Sequence, residues 1–270
     1  MEVNLSETWI VIKINGSNYC INSKYVKGIS ELNTAIYKKP ANLSRFIRGN
    51  YSIYGAVMPV IDARRVLGYN SVEDEKLKFS DKVYKVIYEH ETWIDELEWV
   101  VFTRDKFSKS SKYLDSSIIK FLDELGETDS KITVMANKIR KPLEVVYGMA
   151  NEILELRRKG MLGDCYDKLE EIKRQSNKYV VKNLENIIEL NNELYTEACL
   201  VIQCKGITFG IAVDSVDMIS DKSDNLTKVC KDKVSAGTIQ IKSKEYNILN
   251  LTKLTNIVKS EGKINGWVQV

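Results

Sequence analysis

Apolar positions in the middle of the chain recur every three or four residues. Val83, Val86, His90, Ile94, Leu97 and Val101 fall on one face, as do Val146, Met149, Ile153 and Leu156 further on. Val180, Leu184, Ile187, Leu190 and Leu194 repeat the pattern. This is the period of an amphipathic helix, and it predicts helices over 80–105, 114–125, 129–159 and 164–197. Lys159-Gly160 and Gly163-Asp164 supply a stop and a restart. Pro142 is expected to kink the third helix or to mark a break in it. Helices joined by such short links pack antiparallel as a bundle.

The flanks alternate instead, and they repeat. Residues 11–31, VIKINGSNYCINSKYVKGISE, align without a gap on residues 201–221, VIQCKGITFGIAVDSVDMISD. Val11/Val201, Ile12/Ile202, Gly16/Gly206, Ile21/Ile211, Val26/Val216, Ile29/Ile219 and Ser30/Ser220 are identical, and Tyr19/Phe209 is aromatic in both. Each copy reads as a strand, a turn at glycine, a second strand and a polar exit. Downstream, 49–67 parallels 237–254, with one residue fewer in the second copy when Leu67 is set against Leu254. Asp62 and Asn250 then stand before short helical stretches, as N-caps whose side-chain oxygens accept first-turn N–H bonds. Gly55 suits a tight turn and Gly68 a helix end. Pro59 removes a ladder donor, so its strand is expected at an edge or beside a bulge. The chain therefore predicts two homologous β units interrupted by a helical block.

Composition narrows the function. Lys and Arg number 40 against 37 Asp and Glu, with the signs interspersed, which argues against a nucleic-acid grip. No apolar run approaches the roughly 18–20 residues that cross a bilayer. The start MEVNLSETW lacks a basic and apolar leader. A cytoplasmic protein without direct membrane insertion is expected. The five cysteines Cys20, Cys165, Cys199, Cys204 and Cys230 form no C-x-x-C pair, so buried free thiols are expected rather than a disulfide or zinc framework. Phosphate loops of the forms G-x-x-x-x-G-K-[ST] and G-x-G-x-x-G are absent. With a single histidine and no G-x-S-x-G elbow, nothing argues for catalysis. No catalytic residue and no cofactor are implied.

The first β unit carries a pattern. FIRGNYSIYGAVMPVIDARRVLG (46–68) resembles the signature of CheW-like domains, the coupling modules of bacterial chemotaxis, and Arg48, Gly49, Gly55, Pro59, Val60, Asp62 and Arg64 match it. FGIAVDSV (209–216) resembles the second half of the same domain. The resemblance covers about 5–70 and 198–257. It implies an α+β chain of two small SH3-like five-stranded β-barrels interrupted by an antiparallel four-helix bundle. The first half would be 1–76, the bundle 77–198 and the second half 199–270. It further implies a non-enzymatic adapter that docks a chemoreceptor signalling tip and the regulatory domain of a CheA-type histidine kinase. Ile53, Tyr54, Gly55 and Val57 are the expected contact residues, with Arg48, Gly49, Pro59, Asp62 and Arg64 as the structural signature. One departure stands out: the usual Asn-Leu-Arg is Ser52-Ile53-Tyr54 here. An acidic partner group would meet a phenol in place of a charged fork.

The helical block resembles a degenerate chemoreceptor zinc-binding domain, a four-helix bundle whose first helix carries H-x-x-W followed by L-E. His90 is retained, whereas Ser116, Leu143 and Tyr147 fall at the other three ligand positions. Zinc sites ordinarily take three or four protein ligands, so no metal site is expected. Leu143 and Tyr147 packed near Trp93 would fill the space, and the His90 ring would bond to Tyr147, Ser116 or water. Two rival readings remain. One is a regulatory protein whose bundle senses a ligand, in a cavity lined by Trp93, Leu143 and Tyr147, or senses redox state through Cys165. The other is a residual metal-binding protein.

Overall fold

The computed structural model describes residues 8–32, 44–103, 105–126, 129–220, 225–228, 235–241 and 243–265. It divides the chain into two compact units, 1–72 with 195–270 and 73–194.

In the first unit, hairpins set the local structure. β1 (Trp9–Ile14) turns through Asn15-Gly16 into β2 (Ser17–Asn22). β3 (Val26–Glu31) follows, and then β4 (Ile47–Ile53) turns through Tyr54-Gly55 into β5 (Ala56–Asp62) and the short helix α1 (Ala63–Val66). After the helical block, β6 (Ala198–Cys204) turns through Lys205-Gly206 into β7 (Ile207–Val213). β8 (Ser215–Ser220), β9 (Asn225–Lys228), β10 (Ser235–Ile241), β11 (Lys244–Leu249) and helix α7 (Leu251–Asn265) complete the unit. In three turns both central residues have positive φ: 49° and 73° at Asn15-Gly16, 50° and 77° at Tyr54-Gly55, 51° and 77° at Lys205-Gly206. This is the type I′ geometry whose twist matches antiparallel strands.

The repeat is present, but its boundary is not the boundary of the sheets. One sheet has the order β8-β1-β2-β11-β10-β9 and the other β3-β6-β7-β5-β4. Each combines the first hairpin of one copy with the later strands of the other copy. Parallel ladders join them, β2 with β11 and β7 with β5. The registers correspond pair for pair: Trp9 faces Ser220 in one sheet and Cys199 faces Ser30 in the other. The bulges correspond too, at Ile47/Gly49 in β4 and at Ser235/Gly237 in β10. The downstream alignment therefore runs without the gap expected from sequence. Asp62 caps Arg65 N at 3.1 Å and Asn250 caps Lys253 N at 3.2 Å, in equivalent places. One sheet has six strands where five were expected, because β9 adds to its edge. β5 is interior, and Pro59 faces Asn50 of β4 just before the ladder to β7 begins at Val60.

The five-stranded sheet closes on itself. β3 and β4 are the ends of its strand order, yet the Tyr54 hydroxyl at the end of β4 donates to the Ile29 carbonyl of β3 at 2.5 Å. The glycine at 28 leaves room for this contact, since a Cβ there would lie 2.6 Å from Tyr54 Cε2 and the exposed ring would have to shift. Tyr51, Ile53, Met58, Val60, Cys199, Val201 and Ala212 fill this barrel. Trp9, Val11, Cys20, Ile239, Ile241 and Tyr246 form the corresponding cluster of the other sheet, and a third cluster with Ile12, Phe209, Ile211 and Leu254 joins the two sheets. Gly210 occupies the place equivalent to Cys20. A Cβ on it would lie 2.7 Å from Cys199 Sγ and 2.9 Å from Val60 Cγ2. Gly210→Ala is expected to lower stability by about 1–3 kcal/mol through overpacking, measured by urea denaturation. A neutral result would mean that the barrel interior is loosely filled.

The second unit consists of α2 (Val72–Phe102), α3 (Ser117–Leu125), α4 (Ser130–Arg158), α5 (Leu162–Gln175) and α6 (Lys182–Leu194), with a π-helical turn, Ser176–Val181, joining the last two. The first helix starts earlier than its apolar period suggests. Ser71 and Asp74 have the spacing of a capping box, and Glu73, Asp74 and Glu75 complement the helix dipole. α4 runs unbroken through Pro142. It ends in a Schellman motif, Met161 N donating to Leu156 O and Gly160 N to Arg157 O, and turns back into α5. The predicted apolar faces point inward: Val83, Leu97, Val101, Val146, Ile153, Val180, Leu184 and Ile187 all belong to one core. No helix among the described residues is long and apolar enough to cross a membrane.

Candidate functional site: the signature network and the bundle recess

Arg48, Asp62 and Arg64 of the signature hold the β unit together rather than facing solvent. Arg48 is 4% exposed. Its Nε donates to Asp62 Oδ2 at 2.9 Å, and Nη1 and Nη2 donate to the two carboxylate oxygens of Glu197 at 2.6 and 2.7 Å. Burial alone would lower the Arg48 guanidinium, but the bonds to Glu197 and Asp62 more than offset it and push it up. Burial pushes the Glu197 carboxyl above the usual range, against the pull of Arg48. Arg64 makes a second fork, to Asp214 at 2.6 and 2.9 Å. Asp214 Oδ2 also accepts from Asn15 N at 2.7 Å, fastening the first hairpin. Glu197 and Asp214 were missed from sequence. The available signal was their position, immediately before β6 and immediately after β7.

The turn between β4 and β5 presents Tyr54 at 70% and Val57 at 55% exposure. Ile53, expected at a contact surface, instead points inward among Tyr51, Met58 and Val60, because strand alternation sends its side chain into the barrel. The surface of this turn is thus Tyr54, Gly55 and Val57. A hollow of about 230 Å³ lies beside it, between Glu31 and Leu32 on one side and Tyr51 and Tyr54 on the other.

Residues 8–110 match the model of the family described as CheW-like domain. Over these residues the chain is similar to a CheW-like domain. A solved structure similar to this chain is the scaffolding protein TtCheW from Thermoanaerobacter tengcongensis, at 11% identity and a TM-score of 0.39, covering 91% of this chain and 89% of that one. A search of curated proteins found no match. The CheW-like domain supports an adapter role of the chemotaxis type. Its signature residues Arg48, Asp62 and Arg64 are the buried network just described.

In the helical unit, the four positions of the expected zinc site are brought together in part. His90, Ser116 and Tyr147 line one recess of about 310 Å³ with Trp93, whereas Leu143 is buried in the bundle core. Tyr147 stacks on Trp93, with centroids 4.3 Å apart and rings at 23°. Trp93 Nε1 donates to the Ser110 carbonyl at 2.9 Å. Burial pushes the Tyr147 hydroxyl up, opposed by its hydrogen bond to Ser116. The expected partners of His90 were Tyr147, Ser116 or water; instead Nε2 meets Ser176 Oγ at 2.7 Å. The reason is the π turn, which begins at Ser176 and shifts the side-chain register there. Nδ1 is buried without a hydrogen-bond partner. Burial lowers the imidazole to about 4, so the ring is neutral near pH 7.

These residues do not fit zinc. One imidazole, already held by Ser176, stands with a hydroxyl, a stacked phenol and a leucine. Among the described residues no three His, Cys, Asp or Glu side chains are placed to share a metal ion. Cys20, Cys165, Cys199 and Cys204 are free and buried, while Cys230 lies outside the described residues. Burial pushes the Cys165 thiol up, the opposite of what makes a thiolate reactive.

Proposed function

We propose that this chain is a non-catalytic, cytoplasmic adapter of the chemotaxis type. Its β unit would dock a chemoreceptor signalling tip and the regulatory domain of a CheA-type kinase. The observation that carries the reading is the CheW-like match over residues 8–110. The forked Arg48 and Arg64 pairs support it by fixing the strands around the exposed Tyr54-Gly55-Val57 turn. Exposed apolar and aromatic side chains on a rigid turn suit docking to a helical or barrel-like partner.

The experiment is direct binding of the purified chain to each partner domain. Val57→Glu is expected to weaken binding by about tenfold or more, since it places a charge at the contact, without changing the melting temperature. Tyr54→Arg restores the family's charged fork and is expected to strengthen binding to the receptor tip. Absence of binding to both partners overturns the docking reading.

A further inference from the structure

Helix α2 carries two apolar faces, and the bundle uses only one. Val83, Val86, Ile94 and Leu97 lie on the inner face, in the core. Leu77, Tyr84, Tyr88, Trp99 and Phe102 follow one another at steps of 7, 4, 11 and 3, each close to whole turns. They form an outward stripe, and each is between 55% and 68% exposed. Scattered apolar residues on a surface need no explanation, but five in one helical register do. Two of the rings are held in place. Trp99 Nε1 donates to Asp105 Oδ2 at 2.9 Å, and Phe102 rests against Tyr166 with centroids 5.1 Å apart.

The charges around the stripe indicate what covers it. From Lys76 to Lys85 there are four lysines against one acid, Asp81; from Glu89 to Glu98 there are five acids and no Lys or Arg. One half of the helix is therefore basic and the other acidic. Lys82 and Glu98 pair inside the unit, with Glu124 at 2.6 Å and Lys173 at 2.7 Å, and Glu96 accepts from Ser108 N. Lys78, Lys85, Glu91 and Asp95 are exposed and make no ion pair among the described residues. A second α2 laid antiparallel sets each basic half against an acidic half, whereas a parallel one sets like against like. The area is adequate too. Aromatic side chains bury about 150–250 Å² each, so the exposed parts of these four rings amount to roughly 1,000 Å² in a pair of copies. That reaches the lower bound for a specific interface.

We propose that α2 docks on α2 of a second copy of this chain, antiparallel, around a two-fold axis level with Glu91. Such an isologous contact makes every pairing twice. Tyr84 then comes beside Trp99 of the second copy, and Lys85 near its Asp95. At the axis Glu91 meets its own counterpart, a repulsion that the surrounding opposite charges outweigh. All these residues belong to the helical unit, so the pairing is independent of the docking reading of the β unit.

The test is sedimentation equilibrium of the full chain in low salt, where exposed charges are least screened. The chain is expected to dimerise with a Kd of about 10 μM or tighter. Tyr84→Ser with Trp99→Ser, both at exposed positions, is expected to weaken the dimer about tenfold or more at an unchanged melting temperature. Exchange of charge gives the decisive reading. Lys78→Glu with Lys85→Glu reverses the free charges of the basic half, and Glu91→Lys with Asp95→Lys those of the acidic half. Each variant alone is expected to pair more weakly than the natural chain, and an equimolar mixture of the two more tightly than either. A natural chain that stays monomeric at about 100 μM overturns the proposal. So does a dimer indifferent to the Tyr84 and Trp99 substitutions, or a mixture that pairs no more tightly than its components.

Discussion

Arg48→Met is expected to destabilise the β unit by about 3–5 kcal/mol, the range for removing one partner of a buried ion pair. Arg48 bonds two acids at once, the buried Asp62 through Nε and the half-buried Glu197 through both terminal nitrogens. Methionine fills much of the volume, so the loss isolates charge rather than packing. Two carboxylates would then remain in a low-dielectric site, and burial already pushes Glu197 up. The deficit should therefore shrink as pH falls and a carboxyl takes up a proton. Arg48→Lys is expected to recover only part, because one ammonium cannot reproduce a fork to one acid and a side bond to the other. A variant with Arg48→Met, Asp62→Asn and Glu197→Gln together should recover more, since no ion is left unpaired. Amide hydrogen exchange in β6 and β7 measures this locally, apart from the helical unit. A cost below about 1 kcal/mol for Arg48→Met would show that water reaches the site.

That network also marks the limit of sequence reading. Arg48 and Asp62 belong to one motif because they lie on adjacent strands of a hairpin. Glu197 is 149 residues away, beyond the whole helical block, and only its place just before β6 hints at it. The hairpins were legible for the same local reason, through glycine at Gly16, Gly55 and Gly206 between alternating runs. Which copy each hairpin joins was not, because parallel ladders such as β2 with β11 carry no turn signal. Ile53 was misplaced as a contact although strand alternation could have sent it inward beside an outward Tyr54. In the bundle the buried faces were legible from their period, but the π turn was not. Val180, Leu184 and Ile187 keep helical spacing through and beyond it, and nothing in that spacing shows that Ser176 meets His90.

His90 gives the second large effect. Burial lowers its pKa in the folded protein to about 4, against an ordinary value of 6.5. Above pH 6.5 the ring is neutral in both folded and unfolded chains and contributes no pH dependence. Between 6.5 and 4 the unfolded chain takes up a proton that the folded chain refuses, so stability falls as pH falls. The loss approaches roughly 3 kcal/mol near pH 4 and then levels off. The Glu89 and Asp115 carboxylates and Lys109 share the recess with the ring. Ordinary carboxylates titrate below about pH 5, so the slope between pH 6.5 and 5.5 isolates the imidazole. His90→Gln should remove that slope while keeping a polar side chain against Ser176. Urea denaturation followed through exchange of the α2 and α4 amides reads the helical unit alone, clear of Glu197 in the β unit. A wild-type slope no steeper than the variant's would mean that the ring protonates freely in the folded bundle. His90 would then be a solvated residue.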